Sequence, residues 1–430
     1  MSAAGDPLVS TALSEEMLAR IDARLAPADA LLERAYPGDD GSRQPVHTVY
    51  VPADRFHAGL AREWGEVARA AVEAAGGIDA LLEACAVPPG ERERVGSQVL
   101  AKLAREPVED LRVDFEDGYG DHGAAEDDDA VAAARVLRDE AAHGGGTPFV
   151  GIRFKSLERP TRRRGLRTLD LVLATLLADG GTLPAGFVVT LPKVTSVDQV
   201  SVMVAVCDAL ERAHGLAPGL LRFELQVETP QAVLGSDGTA LVARMVHAGR
   251  GRVAGLHYGT FDYSASVGIA AAYQSPEHPA ADHAKAVMQV AAAGTGVRLS
   301  DGSTNVLPVG TPAQVRAAWA LHARLVRRAL ERGYYQGWDM HPAHLPSRYA
   351  ATYAFFRAGF DAAADRLRDY LARTEGAVMD EPATAKALAG FLRRGLDCGA
   401  VTADELEQRA GVTPGDLTRL LRRPPSASSA

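Results

Sequence analysis

Residues Asp110–Gly120 read DLRVDFEDGYG, and the rest of the chain can be organised around them. Leu111, Val113 and Phe115 alternate with Arg112, Asp114 and Glu116, the period-two pattern of a strand. The strand runs into acid: Asp114, Glu116 and Asp117 crowd its carboxyl end just before Gly118 and Gly120 turn the chain. In an α/β sheet that end is where ligands bind. Like charges packed there cost stability unless a cation or a proton relieves them. The stretch alone supports two readings equally, a site or a solvated acidic loop, and Glu126, Asp127, Asp128 and Asp129 a few residues later favour the loop.

Working outward, short apolar segments of the same kind recur. VHTVYVPADRF begins at Val46, with Val46, Val49 and Val51 forming a strand ended by Pro52. After DLRVDFED come FVGIRFK (Phe149–Lys155), GFVVTLPKV (Gly186–Val194) and LRFELQVET (Leu221–Thr229). Then follow RVAGLHYGTFDY (Arg252–Tyr263), GVRLSDGSTNVLPVG (Gly296–Gly310) and YYQGWDMHP (Tyr334–Pro342), so the strands number eight. Helical patterns separate them: Arg55–Cys85 as one long stretch, Gly90–Arg105, Leu166–Ala178, Val197–His214, Ala280–Ala293 and Thr311–Arg332. Alternating strands and helices predict parallel βαβ units, and eight of them over residues 46–345 predict a (β/α)8 (TIM) barrel. The alternative, an open doubly wound sheet, lacks its signals, because neither a Gly-rich dinucleotide fingerprint nor a P-loop follows any strand.

Flanking the barrel, residues 1–45 form an N-terminal helical extension. Its helix runs from Ser14 to about Arg34, with Leu18, Ile21, Leu25 and Leu31 or Leu32 on one face. Residues 346–430 read as a C-terminal helical region. Its last part, ADELEQRAGVTPGDLTRLLRR, is spaced loosely like a helix-turn-helix around Gly411, and packing is the reading preferred over DNA binding. The tail PPSASSA predicts disorder.

Composition narrows the function. The 430 residues are 47% hydrophobic and 23% charged, as in an ordinary folded protein, and carry a formal charge of −9. That balance speaks against nucleic acid as a partner, since phosphate neutralisation needs clustered Lys and Arg. Cys85, Cys207 and Cys398 are too far apart for a disulfide framework or a Cys-based zinc site. The start MSAAGDPLVSTALSEEM lacks a basic stretch followed by an apolar run, and no segment approaches a membrane span. The expectation is a soluble, unprocessed, cytoplasmic protein with no membrane partner.

The unusual polar residues fall at the predicted strand ends, the face where barrel enzymes build their sites. These are Asp114, Glu116 and Asp117, then Arg153 and Lys155, Lys193, Glu228, Asp262, and Asp339 with His341. Glu228 and Asp262 would sit level on neighbouring strands, and two carboxylates with water at the remaining positions are a usual way to hold Mg2+. Arg153 would clamp a carboxylate or stabilise an oxyanion, or pair internally with Asp114 or Glu116. Lys193 is either a Schiff-base nucleophile or, the reading preferred, an ion-pair partner of the acidic cluster. Asp339 and His341 are candidates for proton transfer or positioning, with a plain turn histidine as the alternative. Arg159, Arg162, Arg163 and Arg164 read as a solvated face able to attract an anion.

In this order, VYVPADRF, VDFEDGYG, GIRFK, TLPKV, LQVETPQAV, GTFDYSASVG and WDMHPAHL resemble the citrate lyase beta-subunit and HpcH/HpaI aldolase group of Mg2+-dependent barrel lyases. The acidic strand also looks like that of malate synthases, although their late catalytic aspartate has no counterpart here. The resemblance implies Mg2+ held by Glu228 and Asp262, and a 2-oxo acid or acyl substrate met by Arg153. It also implies that Asp114, Glu116 and Asp117 lie near the metal's water ligands, where they would position Arg153 or Lys193. The function expected is a carbon–carbon lyase or aldolase acting on a 2-oxo acid or acyl-CoA hydroxy acid through a metal-stabilised enolate, in a homo-oligomer. The second reading is an altered barrel that works as a binding or regulatory protein through its terminal helices.

Overall fold

The computed structural model describes residues 12–372 and 381–422, so the tail PPSASSA lies outside the described residues. Eight strands occur: β1 (His47–Pro52), β2 (Asp110–Asp114), β3 (Phe149–Arg153), β4 (Phe187–Leu191), β5 (Phe223–Val227), β6 (Val253–Tyr258), β7 (Arg298–Ser300) and β8 (Gly337–Trp338). All neighbours pair in parallel, in the order β7-β6-β5-β4-β3-β2-β1-β8. A bridge between Ser300 and Gln336 joins the two ends. There the Asp301 amide donates to the Gln336 carbonyl at 2.8 Å, and Gln44 Nε2 clips Leu299 O and Gln336 Oε1, each at 3.1 Å. A helix follows every strand, so the chain is a (β/α)8 barrel closed at a narrow seam.

The local departures from expectation have local causes. Arg55–Cys85 is not one helix but two, Leu60–Ala74 and Gly77–Ala84, because Gly76 and Gly77 both take positive φ (114° and 85°). Glu126–Asp129 is not a loop but the first turn of the helix Ala125–His143, where the amide dipoles favour acids. Strand β6 ends at Tyr258, and Thr260–Ser266 is a helix, so Asp262 stands on a helix rather than a strand end.

Inside the barrel the polar half of the alternating pattern faces inward. Arg112 of β2 donates from Nε and Nη2 to the Glu224 carboxylate of β5 at 3.1 and 3.0 Å, and from Nη1 to Asp110. Because β3 and β4 separate β2 from β5, these side chains meet across the interior. Thr48 donates to Asp110 at 2.8 Å, Thr190 donates to Glu224, and His257 Nε2 lies 3.0 Å from the same carboxylate. Leu111 and Val113 therefore face the helices, and Leu111 shares a cavity wall with Phe56 and Leu137. Most such barrels fill this space with branched apolar side chains, whereas this one fills it with ion pairs. Burial opposes the Glu224 charge, but Arg112 and His257 overcome it and hold the carboxyl well below the usual range. Asp110, equally buried and facing Glu224, is pushed up despite Arg112.

The C-terminal helices Leu345–Leu371, Pro382–Cys398, Ala403–Ala410 and Pro414–Leu421 are packed elements. Tyr349, Phe356, Leu406 and Leu417 belong to the same buried cluster as Val49 and Leu111. Gly411 (φ 68°) ends the third of these helices, so the pair resembling a helix-turn-helix is turned onto the protein's own core. By contrast the helix Glu15–Ala35, capped by Ser14, buries none of its residues. No helix among the described residues is long and apolar enough to cross a membrane.

The interior ion pairs make a direct prediction. Arg112→Ala leaves Asp110 and Glu224 enclosed without their cation, and should lower the unfolding free energy by about 3–5 kcal/mol in urea denaturation. An unchanged midpoint would contradict the pairing.

Candidate active site

At the carboxyl end of the barrel the register pairs Asp114 of β2 with Arg153 of β3. Arg153 Nε and Nη2 each donate to one Asp114 oxygen at 2.7 Å, a bidentate buried pair. Asp114 also accepts the amides of Glu116 and Gly118 at 3.0 Å. A Cβ on Gly118 would stand 2.7 Å from an Asp114 oxygen, so the turn needs glycine for this approach. The guanidinium lies against the rings of Tyr50 (4.7 Å) and Trp338 (5.5 Å). Its remaining nitrogen, Nη1, has longer contacts, to Gln226 Oε1 at 3.3 Å and Glu116 Oε2 at 3.6 Å.

Glu228, just beyond β5, is fully enclosed (0% exposed). Its Oε1 accepts the Lys193 amide at 2.8 Å and its Oε2 accepts Gln226 Nε2 at 2.6 Å. A Cβ on Gly259 would fall 2.5 Å from Glu228 Cβ, so glycine at the end of β6 makes room for this carboxylate. Burial, with Asp262 adding to it against Lys193, pushes the Glu228 carboxyl up to about 8.

Lys193 links the acids. Its backbone takes a left-handed φ of 50°, uncommon for a residue with a side chain. Nζ donates to Glu116 at 2.7 Å and Asp117 at 2.6 Å, and lies 3.9 Å from Asp262 Oδ1. Burial works against the ammonium, but Glu228 and Glu116 outweigh it and raise its pKa. Exposure rises outward from Glu228 through Lys193 (22%) to Asp262 (45%) and Asp117 (55%). Five carboxylates (Asp114, Glu116, Asp117, Glu228, Asp262) thus share one mouth with two cations, Arg153 and Lys193. Among the described residues no three His, Cys, Asp or Glu side chains form a ready-made metal cluster.

The other predicted residues are placed elsewhere. His341 caps a short helical turn, its Nδ1 accepting the Ala343 amide at 3.1 Å, and burial lowers its pKa. Asp339 is enclosed among the helices: Arg348 Nη2 donates at 2.8 Å, and His47 Nδ1 and His322 Nε2 each lie 3.0 Å away. It ties β8 to its neighbours and is closed to a substrate. Arg159, Arg162 and Arg163 are exposed, while Arg164 pairs with Asp127.

Four contributors escaped the sequence reading: Gln226, Tyr50, Trp338 and Glu126 as a buried acid, the last through Lys155. Gln226 bridges Arg153 and Glu228, and its position two residues before Glu228 on one strand face was the available signal. Tyr50 and Trp338 form the surface under Arg153. Lys155 donates to Phe115 O (2.7 Å), Gly120 O (2.8 Å) and Glu126 (2.7 Å), which ties down the acidic loop. Glu126 itself, the first acid of the run Glu126–Asp129, is buried, with Lys155 and Thr168 donating to its carboxylate.

A family model described as "Domain of unknown function (DUF6986)" matches residues 25–423. The chain belongs to this family. No curated protein sequence matches the chain significantly. Among solved structures, this DUF6986 chain is similar to CitE of Mycobacterium tuberculosis in complex with magnesium, acetoacetate and coenzyme A. The identity is 17% and the TM-score 0.47, covering 84% of this chain and 99% of that one. It is also similar to the magnesium/glyoxylate complex of Haloferax volcanii malate synthase, at 14% identity and a TM-score of 0.45 over 88% and 98% of the two chains. An HpcH/HpaI aldolase/citrate lyase family protein of Burkholderia cenocepacia matches at 15% identity, covering 73% and 93%, with a TM-score of 0.39.

Glu228 sets a pH dependence. With its folded carboxyl near 8 and the unfolded one near 4.5, the folded state holds a proton that the unfolded state has lost in that window. Stability of the metal-free protein therefore falls as pH rises from about 4.5 to about 8. Glu228→Gln should remove this component from the slope of Tm against pH.

Proposed function

We propose that this DUF6986 protein is a Mg2+-dependent enzyme of the lyase or aldolase type. It would make or break a carbon–carbon bond beside a carboxylate, in a 2-oxo acid or the CoA thioester of a hydroxy acid. The observation that carries this reading is the cation-deficient mouth: five acids, one of them fully enclosed, held beside a clamped arginine at the carboxyl end of the barrel. The ordered motifs from VYVPADRF to WDMHPAHL support it.

Glu228 and Asp262 would hold the cation. Their hard oxygen donors and the surplus of negative charge suit Mg2+. When bound, the ion supplies positive charge against which an oxygen of the substrate can be polarised. The chain's own groups have separate parts. Asp114 fixes Arg153 by two of its nitrogens and leaves Nη1 as the donor for a substrate carboxylate or oxyanion. Tyr50 and Trp338 keep the guanidinium in place and exclude water beneath it. Lys193, hydrogen-bonded to Glu116 and Asp117, would stay a fixed positive charge at the rim that can meet an anionic group of the substrate, and its flexible stem lets it yield to a substrate. Gln226 holds Glu228 and Arg153 at fixed separation.

One observation favours the second reading, a binding protein. The helix Glu15–Ala35 exposes Leu18, Ile21, Leu25, Leu31 and Leu32. An apolar stripe of this kind fits a partner surface. Turnover separates the two readings.

With Mg2+, the protein should convert at least one member of a panel of 2-oxo acids, hydroxy acids and their CoA thioesters. Acetoacetate, glyoxylate and coenzyme A are included because the similar structures were solved with them. Glu228→Ala and Asp262→Ala should each abolish Mg2+ binding by calorimetry. Arg153→Lys should keep Mg2+ binding and lower kcat about 10²–10³-fold. Undiminished Mg2+ binding in both acid variants would sink the proposal.

A further inference from the structure

The opposite, amino-terminal end of the barrel carries a cavity of about 1730 Å3. That is well above the roughly 300–1,000 Å3 of an ordinary ligand pocket. Its walls come from three regions distant in sequence: the end of the first helix with the segment after it, the amino-terminal ends of the strands with the loops that lead into them, and the C-terminal helices Pro382–Cys398 and Pro414–Leu421. In a chain with net negative charge, its described lining holds eight arginines against three aspartates, and neither Lys nor Glu.

The three aspartates are already committed. Asp39 accepts from Arg394 at 3.1 Å, Asp397 pairs with Arg393 at 3.0 Å, and Asp40 is turned into its own loop, accepting the Ser42 amide at 2.8 Å. Arg222 and Arg250 are left over. Neither side chain makes a hydrogen bond or ion pair among the described residues, although both line the cavity. Arg298 donates to Ser42 Oγ at 2.6 Å and lies over Phe149. Burial, joined by the neighbouring Arg222 charge and opposed by Asp40, holds its pKa below the usual arginine value. Asp40 is the one lining acid that acts on both Arg222 and Arg298, so positive charge stays in excess there and keeps the local potential high unless an anion enters. Apolar surface accompanies the charge, from Phe149, Leu183, Leu216 and Val246, and Arg394 stacks on Tyr335 at 4.4 Å.

We infer that this cavity is a second ligand site, separate from the acidic mouth, for a small molecule that carries a di- or triphosphate on an organic, nucleotide-like body. Arg222, Arg250 and Arg298 receive the phosphates through charge-assisted hydrogen bonds, and the apolar wall receives the organic part. The occupant thereby joins the N-terminal segment and the C-terminal helices to the barrel foot. It also lies beside the strand seam, because Ser42 and Arg298 flank Gln44 and Leu299.

Calorimetry on the full-length protein in metal-free buffer tests this, with ATP and inorganic pyrophosphate as probes. ATP should bind at micromolar to submillimolar concentration and pyrophosphate more weakly. The double variant Arg222→Ala/Arg250→Ala should weaken ATP binding at least 10-fold without lowering the ligand-free Tm, since these side chains hold no internal bond. Glu228→Gln should leave ATP binding unchanged. Failure of both probes to bind at millimolar concentration, undiminished binding in the arginine variant, or loss of binding in Glu228→Gln would each overturn the assignment.

Discussion

The guanidinium of Arg112, enclosed at the middle of the barrel, is the charge on which the interior depends. Glu224 is held ionised by it and by His257, and Asp110 is divided between Arg112 and Thr48. Enclosed ions of this kind rarely add net stability, because desolvation consumes most of the attraction. What they impose is geometry. Strands β2 and β5 can bring these groups together only with their even-numbered residues turned inward, which sets the parity of both strands from foot to mouth.

That parity delivers the chemistry. On β2 the residue two beyond Arg112 is Asp114, and on β5 the residues two and four beyond Glu224 are Gln226 and Glu228, so the interior pairing and the mouth share the same faces. The axis of the barrel becomes graded in charge: unpaired arginines at the foot, paired ions in the middle, and an excess of acid at the mouth. Strain gathers at the acid end. Lys193 accepts a left-handed backbone, and Gly118 and Gly259 give up side chains so that carboxylates can approach closely. Such concessions contribute nothing to the fold and suit a place where charge is meant to be met from outside.

Much of the barrel was legible in the chain because its signals are local. Alternation in DLRVDFED, the apolar strands and the helices between them all act over a few residues. The polar residues at strand ends stood out for the same reason, since nothing in a strand end requires charge. Where a second signal was needed, reading failed. Glu126 reads as one more surface acid, yet Lys155, from the segment just after β3, pairs with it and it is buried. Asp339 resembled the mouth acids, yet it lies one residue past Trp338 and so on the opposite face of the strand, among the helices.

The sequence by itself determined the number and order of strands, the polar stripe of each strand and the crowding of acid after β2, because these follow from spacing and side-chain type. The tertiary structure alone decided which stripe faced inward, which acid met which cation, and that Asp262 reaches the mouth from a helix rather than a strand. It also decided that arginines from three distant segments would gather at the foot. Pairing of charges is set by distance and burial, and both exist only once strands far apart in the chain have closed into one barrel.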